Sequence, residues 1–270
     1  MTINRLEISN PRYTADNTQL LTIHSSHLNR RHDVSIYNVN AVGKNVPIIL
    51  LMHGVYGNHW VWMGLGGIHH VYEQVKAKTE ITEFILVMPS DGGLYDGSAY
   101  LPTIAQGDYE QWIMDDVINA VIQTVPNASH DSNLYLSGLS MGGYGALRLG
   151  VKYADKVSGI SAHSSITQLD EINLFTDTPI THYQCVNEQE HSILYWLEKN
   201  QTQLPPLRFD CGKDDILYNG NLSFEKALNA RNVTFEFERF DGEHSWEYWH
   251  EHIEQTFAFF NRIEKSLNSE

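Results

Sequence analysis

The sequence predicts the α/β class: a mostly parallel central sheet with helices on both faces and antiparallel strands at its N-terminal edge. Three observations predict it. Continuous apolar runs, Val46–Met52 and Phe84–Met88, suit strands covered on both faces. Segments with apolar residues at helical spacing lie between and after such runs. Between Leu134 and Gly150 the chain passes from an apolar run, through a corner bracketed by Gly138 and Gly142, into helical spacing. That is strand, tight turn and helix, the repeating unit of an α/β sheet.

The elements follow in order. Leu20–His24 and Val34–Val39 alternate apolar and polar residues and read as two antiparallel edge strands joined through Asn29-Arg30-Arg31-His32. Val46–Met52 is a buried strand, followed by the loop His53-Gly54-Val55-Tyr56-Gly57-Asn58. Phe84–Met88 is the next strand, and the 90–98 loop leaves its carboxyl end, where ligands bind in open α/β sheets. Tyr109–Val125 reads as one amphipathic helix ended by Pro126-Asn127. After the corner at Ser140 come a strand at Val157–Ala162 and a looser stretch, 166–203, with a helix at Glu188–Glu198. Leu207–Gly212 is a strand, Leu222–Ala230 a helix, and Val233–Phe240 a strand. A helix from Ser245 to about Lys265 closes the chain. The expected organisation is one domain over residues 1–270, with a cap-like insertion around 166–203 that has too little core to stand alone.

Composition narrows the partners. With 270 residues, 42% hydrophobic and 19% charged, the chain can bury a full core. A formal charge of −15 argues against nucleic acid and against anionic membranes. No stretch has the length of a membrane span and the first residues show no secretory h-region. Two cysteines, Cys185 and Cys211, form no framework, so a reduced cytoplasmic compartment is expected. His69-His70, near His53 and His59, do not make a metal set, because adjacent histidines do not aim at one ion. No metal and no cofactor are expected, and homo-oligomerisation is left open.

The corner carries chemistry. A serine between strand and helix sits in a strained conformation, and a Cβ two positions before or after it would clash. Ser140 is therefore the candidate nucleophile, and the Met141 amide at the helix start can hold a developing oxyanion. The loop after Met52 offers the second donor, the Val55 amide. Tyr56, Trp60 and Tyr95 are the candidate substrate contacts, with Trp62 as a further aromatic that could wall a pocket. An aspartate in the loop after Leu207–Gly212 and His244 after the last strand complete a Ser, Asp, His chain order, that of an α/β-hydrolase. Asp214 and Asp215 compete for the orienting role, with Asp210 a third within the strand.

These residues resemble the esterase D family of α/β-hydrolases, which includes tributyrin-type carboxylesterases and S-formylglutathione hydrolases. The likeness is carried by Leu51-Met52-His53-Gly54, Met88-Pro89, Gly138-Leu139-Ser140-Met141-Gly142-Gly143-Tyr144-Gly145-Ala146, Cys211-Gly212-Lys213-Asp214-Asp215-Ile216-Leu217-Tyr218 and His244-Ser245-Trp246 with Trp249. Arg31–Tyr37 resembles the family's second strand. The resemblance implies a cofactor-free serine esterase acting on short acyl esters or thioesters, and favours Asp215 over Asp214. The His53-Gly54-Val55-Tyr56-Gly57 loop is closer to the tributyrin and feruloyl types than to the formylglutathione hydrolases. The leading expectation is a carboxylesterase working through an acyl-Ser140 intermediate. S-formylglutathione hydrolysis or acyl transfer with the same residues is the alternative. A non-catalytic binding protein would be expected to lack the nucleophile or the base.

Overall fold

The structure is a computed structural model and describes residues 3–91 and 96–269. The chain runs β1 (Ile3–Ile8), β2 (Thr18–Ser25), β3 (Arg30–Tyr37), β4 (Ile48–Met52), α1 (Val61–Gly64), α2 (Ile68–Lys78) and β5 (Ile85–Pro89). A small ribbon, β6 (Pro102–Thr103) with β7 (Gly107–Asp108), leads into α3 (Tyr109–Gln111), a π-helical turn (Trp112–Val117) and α4 (Ile118–Thr124). Then follow β8 (Leu134–Leu139), α5 (Met141–Lys152), β9 (Gly159–His163), α6 (Ile193–Lys199), β10 (Leu207–Gly212), α7 (Tyr218–Ala230), β11 (Glu236–Phe240) and α8 (Trp246–Leu267).

The main sheet has nine strands in the order β1-β2-β3-β5-β4-β8-β9-β10-β11. From β5 to β11 neighbours are parallel, and β1, β2 and β3 add antiparallel to β5. The parallel strands are buried on both faces, which is why β4 and β5 are apolar at every position. Along β4, Ile48, Leu50 and Met52 enter the core under α5, whereas Ile49 and Leu51 enter the core under α2 and α8. The chain order reverses between β4 and β8, so the loops at their carboxyl ends diverge and leave a crevice there.

Three expectations change. The N-terminal strands number three, and β3 lies inside the sheet against β5 rather than at its edge. β1 lacks a clean alternation because both its faces are largely exposed, which removes the signal on which a strand is read. The helix over 109–125 is not continuous α-helix, since a π turn interrupts it at Trp112–Val117. The helix expected at 188–198 is a 3₁₀ turn, Glu188–His191, followed by α6, whose N-cap Ser192 accepts from the Tyr195 N–H through its hydroxyl.

Candidate active site

Ser140 is the residue between β8 and α5, at φ 55° and ψ −120°. The two glycines of the corner have a measurable reason. A Cβ on Gly138 would lie 2.2 Å from the Gly142 carbonyl oxygen, and one on Gly142 would lie 2.1 Å from the Met52 carbonyl oxygen. The corner is pinned from β9, because the Ser140 N–H donates to the His163 carbonyl at 2.9 Å. The Ser140 hydroxyl lies 3.0 Å from His244 Nε2. His244 Nδ1 lies 2.9 and 3.0 Å from the two carboxylate oxygens of Asp215. Asp215 also accepts from the Leu217 N–H at 2.8 Å and is buried.

The loops that bring Asp215 and His244 together are stitched by main chain. Lys213 N–H donates to the Phe240 carbonyl and Asp214 N–H to the Gly242 carbonyl, at 2.9 and 3.0 Å. Of the three aspartates weighed from the sequence, Asp215 is the one bonded to His244. Asp214 is exposed. Asp210 is fully buried and belongs to a second network, 2.8 Å from both Arg208 Nη2 and His163 Nδ1, with the Tyr248 hydroxyl donating to it at 2.9 Å. Burial would raise the Asp210 carboxyl, but His163 and Arg208 outweigh it and hold the pKa down at about 2. Sequence reading missed His163 and Arg208, because neither has a local pattern and each is defined by partners on other strands.

On the opposite side of Ser140, Gly54 packs so closely that a Cβ there would meet Ser140 Cβ at 3.2 Å. The Asp91 N–H donates to His53 Nε2 at 3.1 Å, which leaves the ring proton on Nδ1. That proton goes to the Gly54 carbonyl at 2.7 Å, and the Gly57 N–H reaches the same oxygen at 3.2 Å. A peptide whose C=O is fixed has its N–H fixed the other way, so these bonds set the direction of the Val55 N–H. Met141 is the first residue of α5, where a backbone N–H has no partner within the helix. The arrangement can move a proton from hydroxyl to imidazole and hold a negative oxygen beside two amides.

The aromatic candidates divide. Tyr56 is two-thirds exposed at φ 60°, its N–H held by the Asp96 carbonyl at 2.8 Å. Trp60 is half exposed with its ring over Gly64. Tyr95 lies outside the described residues. Trp62 does not wall a pocket: it is buried in the core, donating its indole N–H to the Met52 carbonyl. The residues that do flank His244 are Phe175, stacked on the imidazole at 4.8 Å, and Trp249, edge-on at 5.0 Å. Phe175 comes from the 166–203 stretch, whose loose pattern gave no sign of it. The His69 and His70 rings pack on each other at 3.9 Å. Among the described residues His27, Asp115 and Asp116 bring three ligand-type atoms within 4.8 Å of one another, in the β2–β3 turn and the π turn.

Comparison with known proteins adds the family. The family model described as "Putative esterase" matches residues 25–260. The chain belongs to this esterase family. An acetyl esterase of Caldicellulosiruptor saccharolyticus is 24% identical over 237 residues, covering 82% of the chain and 85% of the relative. A ferulic acid esterase structure superposes with a TM-score of 0.79 at 24% identity, covering 96% and 99% of the two chains. An S-formylglutathione hydrolase of Staphylococcus aureus superposes with a TM-score of 0.73 at 22% identity, covering 95% and 99%. The esterase therefore has the α/β-hydrolase fold, and its fold class and enzyme class agree with the sequence reading. No helix among the described residues is long and apolar enough to cross a membrane.

Proposed function

We propose that this esterase hydrolyses short-chain acyl esters through an acyl-Ser140 intermediate, with His244 as base and acid and Asp215 as its orienting carboxylate. The observation that carries this reading is the continuous contact from Ser140 Oγ to His244 Nε2 and from His244 Nδ1 to Asp215. Ser140 Oγ attacks the ester carbonyl while its proton passes to His244 Nε2. The carbonyl oxygen takes the negative charge and accepts from the Val55 and Met141 N–H groups. The bond to the alcohol then breaks, and His244 returns its proton to the departing oxygen. Water, deprotonated by His244, attacks the acyl carbon and releases the acid and free Ser140. Tyr56, Trp60 and Tyr95 are proposed as substrate contacts.

The chain is proposed to form one domain, with 166–203 as its cap. Phe175 on His244, and the Tyr144 hydroxyl donating to the His191 carbonyl at 2.7 Å, support this. Two buried, unpaired cysteines support a reducing, cytoplasmic setting. The test is turnover of p-nitrophenyl acetate and butyrate by wild type and Ser140→Ala, with fluorophosphonate labelling in parallel. Wild type is expected to turn over both esters and take the label, and the variant to do neither. Equal rates in the two proteins would remove Ser140 from the mechanism.

A further inference from the structure

We infer that Tyr248 is a positioning residue for the reaction: its ring, fixed through its hydroxyl by Asp210, holds the two loops that carry Asp215 and His244 in place against each other. The inference rests on the proposed roles of Ser140, His244 and Asp215 and concerns what lies beneath them.

Asp215 and His244 stand on separate loops. One leaves β10 at Gly212, and the other leaves β11 and passes through Gly242. The loops meet at the Gly242 carbonyl, which accepts from the Asp214 N–H at 3.0 Å. A Cβ on Gly212 would lie 2.3 Å from that same oxygen. Tyr248 packs against both glycines. A Cβ on Gly242 would lie 2.8 Å from Tyr248 Cδ2, and one on Gly212 would lie 3.4 Å from Tyr248 Cε2. Gly242 sits at φ 135°, and its lack of a side chain lets the ring approach. Tyr248 is buried in the first turn of α8, where its N–H donates to the Ser245 hydroxyl at 3.3 Å. Ser245 directly follows His244, so the cap ties the His244 loop to the same residue.

A ring lodged against two glycines can still slide or tilt. The hydroxyl prevents this by donating to Asp210 Oδ1 at 2.9 Å. Asp210 is itself fixed, with Oδ2 2.8 Å from both Arg208 Nη2 and His163 Nδ1. Those two groups are held in turn, Arg208 Nη1 by the Ser161 hydroxyl at 3.1 Å and His163 Nε2 by the Thr256 hydroxyl at 2.7 Å. His163 and Arg208 keep Asp210 charged down to a pKa of about 2, against the effect of burial, so the acceptor persists at neutral pH. Burial and then Asp210 push the Tyr248 phenol far above its ordinary range, so the donor persists too. The same network reaches the nucleophile, because the His163 carbonyl accepts from the Ser140 N–H at 2.9 Å. Apolar residues of similar volume could fill this part of the core without the desolvation cost of buried charges. They could not fix a hydroxyl at one point. Reacting groups must be held to within about 0.5 Å by neighbours that are themselves locked, and this network supplies that lock.

The experiment measures kcat and KM on p-nitrophenyl acetate, the rate of fluorophosphonate labelling and the melting temperature for wild type, Tyr248→Phe and Tyr135→Phe. Tyr248→Phe keeps the ring and so keeps the core filled. Tyr135 makes the matching bond elsewhere: it is buried near the start of β8, and its hydroxyl donates to Glu264 at 2.6 Å. Each variant loses one bond from a phenol to a carboxylate, so both should melt at a lower temperature. Only Tyr248→Phe is expected to lower kcat, by about tenfold, since a shift of about 1 Å costs about a hundredfold. Its KM should stay within about twofold, because formation and hydrolysis of the acyl-enzyme both pass through His244 and slow together. Its labelling rate should fall in step with kcat. Tyr135→Phe should keep the wild-type kcat and labelling rate. A Tyr248→Phe protein with wild-type kcat, or an equal fall in Tyr135→Phe, would overturn the inference. Failure of the underlying reading shows differently: Ser140→Ala would then turn over p-nitrophenyl acetate as fast as wild type.

Discussion

Ser140 is held in its strained conformation by contacts that leave no room for change. The Gly142 and Met52 carbonyl oxygens stand where side chains at Gly138 and Gly142 would be. Neither oxygen can retreat, because both are main chain, one in the first turn of α5 and the other at the end of β4. Gly138→Ala and Gly142→Ala are each expected to yield insoluble or unfolded protein, read by circular dichroism of the soluble fraction. Asp215→Asn keeps the shape but loses the charge that favours the imidazolium and its tautomer. A fall in kcat of about a thousand- to ten-thousandfold is expected, with KM little changed. His53 acts on no reacting atom; it fixes the Gly54 carbonyl, and through it the Val55 N–H. His53→Ala should cost less than the about two to four kcal/mol of losing an oxyanion donor outright, because the Gly57 N–H still holds the same carbonyl, and should show in kcat rather than KM.

At the scale of elements, the 166–203 stretch is tied to α5 by charge. Arg148 is fully buried on that helix, 2.7 Å from Glu110 and 3.2 Å from Glu190, and Lys152 reaches Glu190 at 2.6 Å. Glu190 belongs to the 166–203 stretch, so the segment that supplies Phe175 is anchored to the helix that starts at Met141. Removing one partner of a buried pair leaves an uncompensated charge. Glu110→Ala is therefore expected to destabilise the fold by about 3 kcal/mol in urea unfolding. Glu190→Ala should cost less, because Glu190 is farther from Arg148 and less buried than Glu110, and should loosen the 166–203 stretch, measured as faster amide exchange over 166–192. None of this was legible in the sequence. A charge on a helix such as Arg148 reads as a solvated face until its partners, 38 and 42 positions away, are seen beside it.

Across the whole molecule, two buried groups contribute to the loss of stability in acid. Burial, reinforced by Arg30, lowers the His32 pKa from 6.5 to about 4. Between those values the unfolded chain binds a proton that the folded one refuses, so stability falls as pH drops from about 6.5 to 4. Asp210, ordinarily near 3.8, titrates at about 2 in the fold. Its contribution is complete above pH 4 and is lost as pH falls toward 2. The melting temperature should decline in two stages, and His32→Gln should flatten the upper one, measured by scanning calorimetry between pH 7 and 3.

What the sequence determined was everything whose cause is local. A strand buried on two faces must be apolar throughout, so β4, β5 and β8 could be read directly. A serine on a tight corner needs glycine on either side, so Ser140 stood out. The order Ser, Asp, His follows from connectivity along the sheet, so His244 could be singled out among fourteen histidines. Only the tertiary structure decided the rest. It bonded Asp215 to His244 and gave Asp210 to another network, put Trp62 in the core, brought Phe175 onto the imidazole and buried Arg148 and Arg208 among their carboxylates. These are contacts between segments far apart in the chain, and nothing in a residue's near neighbours reports which distant group will meet it.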